Sequence, residues 1–366
     1  MDQTVIYWDY LNIPKLLQLQ GGVENDEDAI SEDEMSFIII HQVFELWFKL
    51  ILKEIKLATK KMSQESVEED VIPLVVHHID RINVILRSAV KHFDLMETLI
   101  PQDFLMFREK LGTASGFQSF QMREMELLLG LELTQRKAQG HDDPIKYILD
   151  TAVNSEAGKD ILDRISNAKE SLSLRDAIHK WLYRTPIQGS SPNEENDEDI
   201  VNSFIQNYLD NVKEMFDNQI SNFSNNDDID AIRNRFDISL KQSTDFLFAN
   251  DVTEVEKFRM RRVRTAILFI ESYRELPLLS WPRKLIDTIV ELEEQMVIFR
   301  FRHARMVERI IGRKVGTGGS AGVDYLDETT KYRVFPELST IRTMLLPKFT
   351  LPELKKPEFY QFSRKN

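Results

Sequence analysis

The sequence contains no cysteine. That absence excludes disulfide frameworks, iron–sulfur clusters, thiolate-ligated or covalently attached haem, and cysteine nucleophiles. Any metal or haem is left to histidine or oxygen ligands. Positive charge is also short: 47 Lys and Arg stand against 60 Asp and Glu, a formal net charge of −13. With no basic stripe interleaved with aromatics, a nucleic-acid surface is not expected. The amino terminus lacks a basic region followed by an apolar core, so no secretory signal is expected. The most apolar run, Phe37 to Leu52, is interrupted by His41, Gln42, Glu45 and Lys49, which predicts a buried helix rather than a membrane span. These absences together predict a cytoplasmic protein with neither nucleic acid nor membrane as partner.

Strand-like alternation is scarce, and no βαβ rhythm or repeat of solenoid length stands out. Helical signals fill the chain instead. Ser31-Glu-Asp-Glu34 has capping-box spacing and predicts a helix over about 32–57; Ser66-Val-Glu-Glu69 repeats the signal before a run reaching about 99. Pro101 suits the first turn of a short helix to about 111, and periodicity resumes over about 117–137 after the Gly112–Gly116 break. Further helices are expected at about 143–153, 157–168, 173–184, 199–223, 228–248 and 253–276, with Ser280-Trp-Pro-Arg opening the last long one. Between them, Gln188–Asp199 (QGSSPNEENDED) reads as a solvated, mobile acidic loop. The expected fold is all-α, a single domain over 1–366 with a peripheral helical elaboration at about 185–250.

Three segments carry residues suited to chemistry. Met296, Phe299, His303, Val307 and Ile310 recur at spacings of three and four, so one imidazole sits on an apolar helix face. Such a histidine is either a core residue bonded to backbone or an axial ligand to a flat apolar cofactor such as haem. In Phe37-Ile-Ile-Ile-His41-Gln-Val-Phe44-Glu45-Leu-Trp-Phe48 a phenyl ring and an imidazole lie one turn apart. That pair can stack a flat ligand and meet its polar edge, or simply pack a core. Phe104 and Arg108 share a face of the short helix, where a guanidinium can fork onto a carboxylate or make a surface ion pair. Gly112 and Gly116 bracket a turn in which Ser115 can approach a ligand. The loop Gly316-Thr-Gly-Gly-Ser-Ala fits a dinucleotide-binding string only formally, because it follows a helix and not a strand. It remains a loop whose backbone can come close to a ligand, with Thr317 and Ser320 as hydroxyl donors.

Taken together, HQVFELWFK at 41–49, R-x6-SGFQS at 108–119, KWLYRTP at 180–186, RHARMVERIIGRKVGTGGSAG at 302–322 and Tyr7-Trp-Asp-Tyr10-Leu11 resemble the tryptophan 2,3-dioxygenase family. The resemblance runs through nearly the whole chain in the family's order; about 190–280 matches only in helical character. It implies an all-helical haem enzyme, usually a homotetramer, holding haem b whose iron is Fe(II) when active. Such an enzyme inserts both atoms of O2 across the indole C2–C3 bond of L-tryptophan to give N-formyl-L-kynurenine, the first step of tryptophan degradation by the kynurenine pathway. By the same resemblance His303 is the axial iron ligand, His41 meets the indole N–H, and Phe37 packs on the indole. Arg108 holds the substrate carboxylate, Thr317 meets the ammonium and carboxylate, and Ser115 and Gly116 lie against haem and substrate. Tyr7, Tyr10 and Leu11 reach into a neighbouring subunit's pocket. This chain departs from common family choices at Phe104 (tyrosine or phenylalanine), Ala321 (often serine) and Thr113-Ala-Ser, where a proline is common. An alternative on the same scaffold is a haem-dependent monooxygenase of a modified aromatic amino acid. A non-catalytic haem or gas sensor is disfavoured, since it needs neither a carboxylate-binding arginine nor a glycine-rich loop.

Overall fold

A computed structural model describes residues 5–132, 144–153, 155–221, 229–316 and 322–362. Among these the only β pairing is an isolated bridge between Ile187 and Ser190, and the chain is all-α, as expected. Two short helices, α1 (Tyr7–Tyr10) and α2 (Ile13–Leu16), precede α3 (Glu32–Met62), α4 (Val71–Met96), α5 (Pro101–Arg108) and α6 (Phe120–Leu129). Then come α7 (Pro144–Ala152), α8 (Gly158–Glu170), α9 (Leu174–Arg184), α10 (Asp197–Ser221) and α11 (Ile229–Leu247). The chain continues through α12 (Glu254–Ser272), α13 (Ser280–Ile311), α14 (Val323–Thr329) and α15 (Pro336–Thr343).

The chain forms two compact units. One comprises residues 1–56, 80–171 and 292–333, the other 57–79, 172–291 and 334–366. In the first unit, α3 begins where the spacing of Ser31 and Glu34 predicted, with the Glu34 amide donating to the Ser31 hydroxyl at 3.2 Å. Its inward face buries Ile40, Phe44, Phe48, Ile51, Leu52 and Ile55. Phe44 packs edge-on to Phe299 of α13 at 5.9 Å between ring centroids, and Phe93 of α4 lies 5.1 Å from both rings. Three helices thereby meet in one aromatic cluster, each ring of which stabilises by a few kcal/mol relative to an exposed ring. By length and composition α3 is apolar enough to cross a membrane. Its Phe37, His41, Phe44, Glu45 and Phe48 instead line a cavity inside this unit.

Two helix ends differ from expectation. The 117–137 run stops at Leu129 because Gly130 takes φ +101°, a left-handed C-cap whose amide bonds back to Glu126. The second Ser-x-x-Glu signal does not open α4, which starts later at Val71 with Pro73 in its first turn.

In the second unit, the acidic stretch 188–199 is solvated only in part: residues 193–196, Glu198 and Asp199 are exposed. Gln188, Ser190 and Asp197 are buried, and Arg262 of α12 sits among them. Its Nη1 donates to both Asp197 carboxylate oxygens at 2.6 and 2.8 Å, and Nε and Nη2 donate to the carbonyls of Tyr183, Thr185 and Ser190. Composition predicted solvation because most of the segment is polar, whereas one buried cation collects its oxygen acceptors. The same unit fixes Arg184 of the KWLYRTP motif to the Gln64 carbonyl at 2.9 Å, so this motif does not line the cavity.

Candidate active site

The first unit encloses a cavity of about 240 Å³ whose wall includes Phe37, His41, Phe104, Arg108, Ser115, Gly116 and His303. Seven of the residues singled out from the sequence are thus brought together from α3, α5, the 112–119 turn and α13. Thr317, Ser320 and Ala321 lie outside the described residues. Tyr7, Tyr10 and Leu11 are described but exposed, at 72, 74 and 43%, and none of them lines the cavity.

His303 enters from α13 with its ring stacked on Phe93, centroids 5.6 Å apart and planes 7° from parallel. Burial, reinforced by His41 and the Arg123 charge, holds its pKa down to about 4, so the imidazole is neutral at pH 7. No hydrogen bond to that ring occurs among the described residues. A neutral imidazole on the cavity wall keeps a ring nitrogen available to a ligand, as the second of the two readings requires.

His41 projects from α3 beside Phe37, ring centroids 4.1 Å apart. Its Nδ1 donates to the Phe37 carbonyl at 2.7 Å, which fixes the tautomer. Burial lowers its pKa, although the Phe37 hydrogen bond and the Glu45 charge pull the other way. The neutral ring then presents Nε2 as a hydrogen-bond acceptor.

Arg108, at the end of α5, donates to the Val315 carbonyl at 2.5 Å and has no carboxylate partner among the described residues. Phe104 and Phe107 pack behind it, edge to face at 5.2 Å. The turn that follows is a full capping box: the Ser115 hydroxyl accepts from the Phe117 amide at 3.2 Å, and the Gln118 side chain accepts from the Ser115 amide at 3.3 Å. Gly116 has open space where a Cβ would stand, on the cavity side of that turn. Gly322 closes the glycine loop at φ +62°, and a Cβ there would lie 2.6 Å from the Lys314 carbonyl, so only glycine fits.

The sequence reading missed the polar wall beside His303. Arg123 and Arg300, both buried, face one buried carboxylate, Glu126, at 2.8 and 3.4 Å. Burial opposes the Arg123 charge, but Glu126, with Tyr325 and Tyr332, keeps its pKa above the ordinary value. Arg123 Nε has no hydrogen-bond partner among the described residues. Two buried guanidinium groups, one with an orphaned donor, suit a ligand that brings anionic oxygens to this wall. Charged residues at helical spacing in α6 look like a solvated face in sequence, so nothing marked them; Ser115-Gly-Phe-Gln118 did carry a legible cap.

The set fits haem. It offers one neutral imidazole for iron, a stack of phenylalanines for a flat apolar ring, an open glycine turn, and buried arginines for acidic edge groups.

A sequence model of the family described as tryptophan 2,3-dioxygenase matches residues 1–345. A tryptophan 2,3-dioxygenase of Sorangium cellulosum is 42% identical over 366 residues, covering 97% of this chain and 87% of its own length. Tryptophan 2,3-dioxygenase 2 of Ralstonia nicotianae is also 42% identical, covering 98% of this chain and 97% of its own. The likeness extends to a eukaryote: the tryptophan 2,3-dioxygenase of Dictyostelium discoideum is 32% identical over 96% of this chain. A cavity built from the motifs at 41–49, 108–119 and 302–322, and a match over almost the full length, lead to one conclusion: the chain belongs to the tryptophan 2,3-dioxygenase family.

Proposed function

We propose that this chain, holding haem b, cleaves the indole C2–C3 bond of L-tryptophan with O2 to give N-formyl-L-kynurenine, opening tryptophan degradation by the kynurenine pathway. The observation that carries the reading is the pair of neutral histidines, His41 and His303, on the wall of one largely apolar cavity that also holds Arg108, which has no carboxylate partner among the described residues. Haem would be held through the His303 imidazole and would supply an Fe(II) centre that activates dioxygen. Arg123 and Arg300 meet its acidic side groups.

The remaining work falls to the chain's own side chains. Arg108 forks onto the substrate carboxylate, and its other edge stays on the Val315 carbonyl. Thr317 meets the ammonium group. Phe37 and Phe104 flank the indole, and His41 Nε2 accepts the indole N–H. Ser115 and Gly116 form the turn against which haem and substrate lie. Product equals substrate plus both oxygen atoms, so the overall reaction consumes no reductant and no net proton. His41 therefore need only orient the N–H, and its fixed tautomer suits that role. The apolar wall excludes water that would divert a reactive oxygen species.

The active protein is a cytoplasmic homotetramer acting on small molecules, without nucleic acid or membrane, and 1–366 acts as one domain with a peripheral elaboration at about 185–250. Support for assembly is the amino-terminal arm, where Val5, Tyr7, Trp8, Tyr10, Leu11, Leu17 and Leu19 are exposed. Gln20 anchors that arm to Gln42, next to His41, at 2.8 Å. Residues so apolar and so exposed call for a covering surface, and a second copy's pocket supplies it. The test is to incubate reduced, haem-loaded protein with L-tryptophan in air and identify the product. N-formyl-L-kynurenine, by absorbance and mass, supports the assignment, whereas a hydroxylated amino acid would favour the monooxygenase.

A further inference from the structure

Glu45 lines the cavity one turn after His41 on the same face of α3. Its carboxylate accepts from Gln121 Nε2 at 2.8 Å, and the same amide donates to the Glu45 carbonyl at 2.8 Å, which pins side chain and backbone together. Gln121 is itself buried, and its oxygen accepts from Arg164 at 3.4 Å. Arg164 is committed to Glu124 at 2.6 and 3.0 Å, and Glu124 also holds Lys56 at 2.7 Å. Glu45 has no cation at ion-pair distance among the described residues. The Glu45 carboxylate is half-buried on the cavity wall with a neutral amide as its partner.

The other ionisable groups on that wall are already accounted for. Arg123 and Arg300 share Glu126, Arg108 is bonded to Val315, His303 is neutral, and burial keeps the Tyr325 phenol protonated. That leaves Glu45 as the anion facing the His41 ring among the described residues.

We propose that Glu45 is a positioning residue for the reaction: fixed by Gln121 one helical turn from His41, its carboxylate strengthens His41 Nε2 as acceptor of the substrate's indole N–H. The inference rests on the tryptophan reading above. A negative charge beside the imidazole stabilises the partial positive charge that the ring gains as it accepts the hydrogen bond. The charge at Glu45 acts in this direction on His41, opposing the fall in its basicity caused by burial.

The test uses haem-loaded Glu45→Gln, which keeps an oxygen for Gln121 and removes the charge. KM for L-tryptophan should rise about tenfold, while the Kd of 1-methyl-tryptophan, which lacks the N–H, changes less than about twofold. Protonation of His41 abolishes its acceptor, so it sets the acid limb of kcat/KM. Without the nearby anion its pKa falls, and that limb should move to lower pH; Glu45→Asp should restore part of the shift. Gln121→Leu, which keeps the charge but unpins it, should raise KM for L-tryptophan and leave 1-methyl-tryptophan binding alone. It decides the matter if Glu45→Gln does not take up haem. Equal weakening of both ligands with an unmoved acid limb would reduce Glu45 to a structural role and overturn the proposal. Unchanged kinetics in both variants would overturn it too. Failure of the parent protein to make N-formyl-L-kynurenine would instead refute the function on which the proposal stands.

Discussion

The chemistry of the site rests on what burial does to single side chains. His303 is neutral because the cavity penalises its charge, and that neutrality is what an axial ligand requires. Replacing it with alanine should leave folded protein that takes up little haem, seen as loss of the Soret band; full haem occupancy with an unchanged spectrum would remove His303 from the ligand role. Its folded pKa of about 4 lies below the ordinary imidazole value, so the unfolded chain binds more protons between the two. Apoprotein stability should therefore be complete above about pH 6.5 and decline as pH falls toward about 4, by on the order of 3 kcal/mol at most. Thermal midpoints of apoprotein and of His303→Phe across that window measure it, and only the parent should show this component. Arg108→Ala should weaken tryptophan binding by ~2 kcal/mol or more while haem stays bound, and tryptamine should be a poor substrate for the parent enzyme. Equal turnover of tryptamine and tryptophan would contradict a carboxylate-binding role.

Among the elements, the long helices carry the site, and their caps and turns aim it. Gly322→Ala would combine a left-handed φ with a Cβ 2.6 Å from the Lys314 carbonyl, so the loop after α13 must rearrange. A loss of ~1–3 kcal/mol is expected by urea unfolding, along with weaker tryptophan binding. In the other unit, Arg262→Ala strands the buried Asp197 carboxylate and should cost ~3–5 kcal/mol, measured in the same way. These two positions also show where sequence reading works and where it stops. Period 3.6 located α3, α4 and α13, and with them His41, His303 and the aromatic cluster, because apolar spacing is a local property. The left-handed stop at Gly130 lies inside a continuous periodic run and was overlooked. Arg262 and Arg300 are illegible for another reason: a buried charge is recognisable only by its partners, which here lie far away in sequence, whereas Arg123 and Glu126, three residues apart, look like a surface pair. The acidic 188–199 stretch misleads in the same way at one residue, since Asp197 and the Ser190 carbonyl are spent on Arg262.

For the whole molecule, the open question is how many chains complete one site. Tyr7, Tyr10 and Leu11 do not line the cavity of their own chain and are exposed, which leaves them available to another copy. Deleting residues 1–12 should lower both the assembly state and tryptophan affinity, with haem content less affected, as judged by light scattering and spectral titration. Truncated protein that is monomeric yet binds tryptophan normally would show the pocket to be self-contained. In the proposed reaction dioxygen and tryptophan meet in the cavity walled by His303 and His41. The most direct measurement is the mass of the product formed from L-tryptophan by reduced, haem-loaded protein under 18O2. N-formyl-L-kynurenine carrying two heavy oxygen atoms is the predicted result; a product with one heavy oxygen, or unaltered tryptophan despite full haem loading, would contradict the account.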